Sequence, residues 1–247
     1  MHFWSTTGGH HAGMRRRVGD RYQLLHPVWR DRLGETLVAR DRADGNPVAV
    51  RLLPGTGPLR AGTHARLTAL RGPHLAGVLD LVEHGDLLAV VSEIVPGPTV
   101  RQRLRAGRPS AGEAARVGAG VAAGLAVLHA DDLLHRNLNA GNVIVTPERV
   151  VLTDFALAAL GGVGLAAPAP ELLAGGSPTP ATDAYGLGVL LGELAGRRTP
   201  AGRIGRALRA GVPFARPSTR QVWSLLLHSR HPVSPGDQPV PVSVRCS

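Results

Sequence analysis

The sequence predicts an α+β fold in two parts, a small strand-rich unit followed by a larger helical one. Three observations carry this. Turn signals flanked by apolar runs occupy the first half. Capping-box patterns precede apolar helical stripes in the second half. The composition is that of a globular chain: 247 residues, 43% hydrophobic and 19% charged, enough for a real core and too apolar for wholesale disorder. Aromatic residues make up only 3%, so aliphatic side chains must fill that core.

The elements follow in order. Residues 1–17 show no hydrophobic period and are expected to be disordered; His10 and His11 lack further metal ligands at useful spacing. Tyr22–Leu25 is a short candidate strand. Thr36–Arg40 and Val48–Leu53 flank Ala43-Asp44-Gly45-Asn46-Pro47, whose Asp-Gly pair is a hairpin signal. Val78–Glu83 and Leu87–Ser92 flank His84-Gly85-Asp86 as a second hairpin, and a poorly patterned helix at about 59–70 separates the pairs. This makes five strands and one helix, ending in a link near 93–99.

Beyond the link the period changes. Thr99…Gln102, Ser110…Glu113 and Ser218…Gln221 fit the capping box, in which a hydroxyl and a Glu or Gln satisfy free N–H groups at a helix start. From Ser110 to His129, Val117, Val121, Leu125 and Leu128 form one helical face. Asp183–Leu194 is apolar nearly all round, as suits a helix buried on every side. Val143–Val145 and Val150–Leu152 are short strands joined by a Thr-Pro-Glu-Arg turn. Residues 231–247 hold four prolines and read as an extended, disordered tail.

The charge balance is +10, with 28 basic residues, all arginine. A basic chain invites a nucleic-acid reading, but the arginines are scattered apart from Arg15–Arg17 and Arg101–Arg108, and no aromatics interleave with them. A composition bias explains them better, and no specific nucleic acid is expected. The single cysteine, Cys246, excludes an internal disulfide framework and a Cys-based zinc site. No apolar run reaches the ~18 residues of a membrane helix and no leader pattern opens the chain, so the expectation is a cytoplasmic protein without a membrane span.

Particular residues sit at the joints of this pattern. His135-Arg136-Asn137-Leu138-Asn139-Ala140-Gly141-Asn142 resembles the loop H-R-D-x-K-x-x-N. Asp154-Phe155-Ala156 resembles D-F-G, Ala169-Pro170-Glu171 resembles A-P-E, and Val48-Ala49-Val50-Arg51 resembles V-A-I-K. Asp183-Ala-Tyr-Gly-Leu-Gly188 and Arg216-Pro217-Ser218 follow at matching distances. From about Val18 to Leu227 the chain resembles the eukaryotic-type Ser/Thr protein kinases, bacterial members above all. The resemblance implies a bilobal protein-kinase-like fold, with an antiparallel-sheet N-lobe over 18–95 and a larger helical C-lobe over 96–230. It also implies a spine of Leu67, Val78, His135 and Phe155 linking the lobes, Asp183 anchoring the catalytic loop, and a buried Glu171–Arg216 pair.

The family's chemical residues are where the sequence departs. The loop Asp that accepts the substrate hydroxyl proton corresponds to Asn137, a neutral carboxamide that cannot act as a base near pH 7. The loop Lys corresponds to Asn139. The strand Lys that grips the nucleotide phosphates corresponds to Arg51, which keeps the charge on a longer planar fork, and its helix Glu partner falls near Thr63 and His64. The glycine-rich loop aligns with Trp29-Arg30-Asp31-Arg32-Leu33-Gly34, leaving one glycine, with bulk at Trp29 and negative charge at Asp31. Asn142 and Asp154 match the two Mg²⁺ ligands. Ala49 and Ile144 match the residues that sandwich an adenine, and Glu93–Val95 would supply hinge backbone groups. Ala156 replaces the D-F-G glycine.

The segment from Asp154 to Glu171 is short, and its interior, FALAALGGVGLAAPAP, has no Ser, Thr or Tyr to phosphorylate. Leu194 runs almost directly into Arg203–Ala210, so a substrate-docking helix of the family looks deleted. The expectation is a catalytically impaired pseudokinase that serves signalling as a regulatory or scaffold module for a protein partner, with Mg-ATP bound weakly if at all. The alternatives are a weakly active Ser/Thr kinase and a basic nucleic-acid binder.

Overall fold

The computed structural model describes residues 17–31, 34–54, 62–155, 157, 160 and 168–229. The expectations for the two tails, for Arg32 and Leu33, for Ala156 and for most of the segment before Ala169 lie outside the described residues.

The strand-rich half forms a six-stranded antiparallel sheet: β1 (Arg17–Val18), β2 (Tyr22–Asp31), β3 (Gly34–Asp41), β4 (Pro47–Pro54), β5 (Val78–His84) and β6 (Leu87–Glu93), in the order β1-β2-β3-β4-β6-β5. The β3–β4 turn closes on Gly45 at φ 78, as the Asp-Gly signal requires. Two expectations need correction. Arg17, assigned to a disordered segment, pairs with Gln23 in β1, where Val18 is sealed against Tyr22, Val48 and Val50. The first long strand runs on from Leu25 to Asp31, because Trp29, Arg30 and Asp31 pair with Thr36, Glu35 and Gly34 despite lacking an apolar alternation. Helix α1 (Thr63–Ala69) starts after a left-handed Gly62, and the part of the predicted helix at 59–61 lies outside the described residues.

The helical half contains α2 (Val100–Arg105), α3 (Ala111–Ala130), the hairpin β7 (Val143–Val145)–β8 (Val150–Leu152), α4 (Pro170–Leu173), α5 (Pro180–Leu194), α6 (Pro200–Leu208), a 3₁₀ turn at Pro213–Ala215 and α7 (Thr219–His228). Both hairpin strands match their predicted bounds. The Thr99–Gln102 and Ser218–Gln221 boxes close reciprocally. The Ser110–Glu113 box closes only on the hydroxyl side, because the Glu113 carboxylate is taken by Arg116 and Arg103. Five residues separate the end of α5 from the start of α6, as the shortened spacing implied.

Helix α3 is the axis of this half, packing against α5, α6, α7 and β8. Its 20 residues reach a mean hydropathy of 1.3, so one helix is after all long and apolar enough to cross a membrane. Val117, Val121, Leu125 and Leu128 are all buried in the core, which accounts for that hydropathy without a bilayer. Glycines let its neighbours close in: a Cβ on Gly118 would lie 2.6 Å from Leu191, and one on Gly124 would lie 2.9 Å from the His74 carbonyl oxygen. One continuous aliphatic core runs from Leu53, Leu67, Val78 and Leu88 of the sheet side through Phe155 to Leu125, Leu187 and Leu226. It joins the two halves into a bilobal molecule, with the link Ile94–Pro98 between them.

Candidate active site

The loop from His135 to Asn142 is held by a buried carboxylate. Asp183, at the start of α5, accepts from the His135 N–H at 2.9 Å and the Arg136 N–H at 2.8 Å. Its Oδ2 also lies 2.9 Å from His129 Nε2. This anchoring carries a local backbone cost, since Arg136 sits at φ 63, a region that non-glycine residues rarely occupy. His135 is fully buried, and desolvation pushes its pKa below the ordinary histidine value, so it packs as a neutral ring. Leu67, Val78 and Phe155 are buried with it, all three in the continuous core.

Within that frame the three asparagines form a closed network. The Asn137 carbonyl oxygen accepts from Asn139 Nδ2 and from Asn142 Nδ2, both at 2.9 Å. The Asn139 Oδ1 accepts from the Gly141 N–H and from Arg101 Nη2, both at 2.8 Å. A side chain in the place of a phosphate-facing lysine is therefore folded back onto its own loop. Asn142 is buried, and its backbone carbonyl accepts from the Thr153 N–H at 3.0 Å. With its Nδ2 committed to the loop, its Oδ1 is the acceptor left for a cation.

Asp154 follows β8 at φ 56, again a costly left-handed backbone that persists because Phe155 behind it is buried. Its Oδ2 lies 3.9 Å from Arg51 Nη1. Arg51 is 3% exposed on β4, directly across the ladder from Thr36, and donates Nη1–H to Thr36 Oγ1 at 2.8 Å. The cation thus points along the sheet toward β3 and Asp154. Helix α1 makes its tie elsewhere: His64 Nε2 lies 2.9 Å from Asp80 Oδ1 on β5, where Tyr22 also donates to Asp80 at 3.0 Å. Arg66 reaches the Asp131 carbonyl oxygen.

The β2–β3 hairpin occupies the place of a glycine-rich loop. Its surviving glycine, Gly34, adopts φ 140, and a Cβ there would fall 1.8 Å from the Leu52 carbonyl oxygen; close strand packing alone demands it. Trp29 is 46% exposed and lies under the guanidinium of Arg101, which is 5.6 Å from the ring centroid. Arg101 donates its backbone N–H to Ala140 at 2.8 Å as well as bonding Asn139. A single α2 arginine therefore links the hairpin of the sheet lobe to the loop of the helical lobe. Its place in an arginine run gives no local hint of this.

The adenine-facing candidates are placed on the flanks of the link. Ala49 is half-buried on β4, paired with Ser92 of β6. Ile144 packs with Ala76, Val95 and Val151. The Glu93 carboxylate accepts from the Gly77 N–H at 3.1 Å and lies 3.6 Å from Arg149, while its own N–H bonds Gly77. Further along, the Glu171 carboxylate accepts two bonds from Arg216, both at 2.7 Å, and Arg216 stacks 5.0 Å from the Tyr185 ring centroid. That pair, together with the Asp183 anchor, appears as the resemblance implied.

A cation at this site would meet one carboxylate, Asp154, and one carboxamide oxygen, Asn142. Both are hard oxygen donors of the kind Mg²⁺ accepts, but Arg51 already sets a positive charge 3.9 Å from that carboxylate. Among the described residues no cluster of three or more His, Cys, Asp or Glu side chains forms a metal cage.

Known proteins resemble this chain in sequence and in fold. The serine/threonine-protein kinase PkaA of Streptomyces coelicolor is 35% identical over 221 residues, 76% of this chain and 41% of its own length. PkaB of the same organism is 34% identical over 229 residues, covering 81% and 54%. The chain thus spans about half the length of these curated relatives. The crystal structure of the Mycobacterium tuberculosis PknI kinase domain superposes with a TM-score of 0.73 at 21% identity, over 85% of this chain and 96% of that one, a likeness of fold. Residues 61–205 match the model of the protein tyrosine and serine/threonine kinase family, and the chain belongs to that family.

Proposed function

We propose that this kinase domain works as a pseudokinase, a regulatory module that binds a protein partner and does not itself transfer phosphate. The observation that carries this is Asn137 at the base position of a loop whose backbone is otherwise held as a catalytic loop is held, by Asp183. A positioned general base contributes about 10²–10⁴-fold, and a carboxamide supplies none of it. The neighbouring substitutions support the same reading. Asn139 is bonded within the protein, Arg51 is committed to Thr36, and Trp29 adds bulk at the phosphate approach. Mg-ATP would be held by Asn142 Oδ1, the Asp154 carboxylate and Arg51, with Ala49, Ile144 and the backbone of Glu93 to Val95 around the base; the group would supply a transferable phosphoryl. Binding is weak in this reading.

A second reading, a slow Ser/Thr kinase, draws on the left-handed Asp154, the buried Phe155 and the Asn142–Asn137 bond, and on relatives named as Ser/Thr kinases. There, positioning alone would drive transfer. Radiolabel transfer from ATP with Mg²⁺ or Mn²⁺ to a mixed Ser/Thr peptide pool separates the two. The pseudokinase reading expects counts equal to those of the Asp154→Ala variant. Transfer reproducibly above that variant, at any turnover, overturns it.

A further inference from the structure

Arginine is spread along the chain, but acid is not. After Glu193 the next acidic residue is Asp237, and residues 194–236 carry eight arginines: Arg197, Arg198, Arg203, Arg206, Arg209, Arg216, Arg220 and Arg230. The rest of the chain holds the other 20 of the 28 basic residues against all 18 acidic ones. The excess of +10 is thus +8 in this stretch and +2 everywhere else.

The fold gathers five of these charges. Arg197, Arg198, Arg203, Arg206 and Arg209 lie on the α5–α6 connection, on α6 and at its C-terminal cap, and all five are exposed. Elsewhere arginines find carboxylates: Arg21 with Asp41, Arg30 with Glu35, Arg103 and Arg116 with Glu113, Arg216 with Glu171. At this corner their described bonds go to main-chain oxygens. Arg203 Nη1 donates to the Arg198 carbonyl at 2.8 Å, and Arg206 Nη2 donates to the Arg197 carbonyl at 3.0 Å. Those bonds tie the Arg203 and Arg206 guanidiniums to the connection that leads into the helix, and the five like charges share that connection and one short helix, about 14 Å long at 1.5 Å per residue. Five residues past the helix cap, Phe214 is 93% exposed.

We propose that this corner docks an acidic segment of a protein partner, a stretch of several Asp or Glu residues beside an aromatic or aliphatic one. Guanidinium forks pair with carboxylates in bidentate geometry, and arginine with an exposed aromatic is the composition that interfaces favour. An extended peptide of four or five residues spans the helix at about 3.3 Å per residue. A lipid surface suits the corner less, because the small apolar face of α6 (Ala201, Gly202, Gly205, Leu208) is already spent on packing. A nucleic acid suits it less, because residues 195–209 carry no aromatic and Phe214 alone offers no run of stacking platforms. The proposal does not depend on whether the cleft transfers phosphate.

The test uses the whole chain and a labelled peptide of alternating Glu and Ser with one central Phe, read by fluorescence anisotropy at constant ionic strength. Its twin with Gln for Glu, a single-stranded DNA oligonucleotide and phosphatidylserine vesicles are run alongside. The Glu peptide is expected to bind in preference to all three. The double variant R197Q/R198Q leaves both main-chain acceptors in place and should weaken the Glu peptide roughly ten-fold. Phe214→Ala, a change to an exposed side chain with no folding role, should weaken the Phe-containing peptide several-fold and leave a peptide with Ala in that place unchanged. Equal binding of the Gln twin, tighter binding of DNA or vesicles, or indifference to both variants overturns the proposal.

Discussion

Restoring the carboxylate alone should not restore catalysis. Asn137→Asp is nearly isosteric, and the loop contacts of residue 137 run through its backbone, whose N–H donates to His135 Nδ1 and whose oxygen accepts from Asn139 and Asn142, so the fold should tolerate the change. If the base were the only missing part, the gain would be about 10²–10⁴-fold, or about 2.7–5.5 kcal/mol of transition-state stabilisation. Three other deficits stand in series with it. Asn139 brings no positive charge to the transferred phosphoryl and is held by Arg101 and Gly141. Arg51 faces Thr36 at 2.8 Å and Asp154 at 3.9 Å, which engages the cation with the carboxylate proposed to hold the metal. Trp29 lies against Arg101 at the hairpin that would cover the phosphates. Residues that act as a unit are far from additive, so repairing one should give less than about a ten-fold rise. The assay is phosphotransfer from ATP to the peptide pool, comparing wild type, Asn137→Asp and the double variant with Asp154→Ala. A rise of a hundred-fold or more that vanishes in the double variant would show that the cradle is competent as it stands and would refute the reasoning.

Further outcomes follow from the same geometry. Millimolar Mg-ATP should leave the melting temperature almost unmoved in a thermal-shift assay, because saturation at 100 times Kd adds about 2.7 kcal/mol and would move it by several degrees; such a shift would contradict weak binding. Arg216→Met should destabilise by about 3–5 kcal/mol near neutral pH, because it strands the Glu171 carboxylate, as chemical denaturation would measure. The Arg216 hydrogen bonds hold the Glu171 pKa below the ordinary glutamate value. The stability they provide is therefore complete above the unfolded-state pKa of about 4.3 and is lost as pH falls through the lower folded value, so the gap between wild type and variant should close in acid. A gap independent of pH would place the effect in packing against Tyr185 instead. Gly124→Ala should destabilise by about 1–3 kcal/mol despite the helix preference for alanine, because the new methyl meets Leu152 at 2.8 Å and an unyielding carbonyl at 2.9 Å; an unchanged melting temperature would mean that β8 and the His74 turn yield easily.

Much of the architecture is legible in the chain because its signals are local. The Asp-Gly turn, the two reciprocal capping boxes and the β7–β8 valines each act within a few residues, and each appears where its pattern lies. What escapes is set by distant partners. The run of β2 out to Asp31 depends on register with Gly34, Glu35 and Thr36 rather than on its own alternation. Glu113 abandons its capping role because Arg103 and Arg116 compete for the same carboxylate. In the site, motif order places Asn137, Asn142 and Asp154 on one loop and its neighbour, but nothing near residue 101 announces that Arg101 bridges Trp29 and Asn139. No pattern near Thr36 marks it as the acceptor for Arg51. Those are contacts across 38, 72 and 15 positions, and only the folded chain reveals them.

The retained and the altered positions differ in what their side chains need. Asp183 satisfies loop N–H groups, Glu171 satisfies Arg216, and His135 and Phe155 fill a core; each answers a demand internal to the protein, and losing any of them leaves a buried group unpaired or a cavity. Asn139, Arg51 and the Trp29 hairpin stand where the family's side chains answer a nucleotide instead. Here each has acquired a partner within the chain: Arg101 for Asn139 and Trp29, Thr36 and Asp154 for Arg51. An unfilled phosphate cradle would leave buried charge and amide groups to solvate, whereas these contacts satisfy them with no ligand present. The consequence is directional. Lysine at 51 and 139 with glycine at 29 should make the nucleotide-free protein less stable than wild type while tightening Mg-ATP, since the same groups serve either the fold or the ligand. Improvement in both quantities at once would mean that the internal contacts are incidental and that the cleft was open to nucleotide from the start.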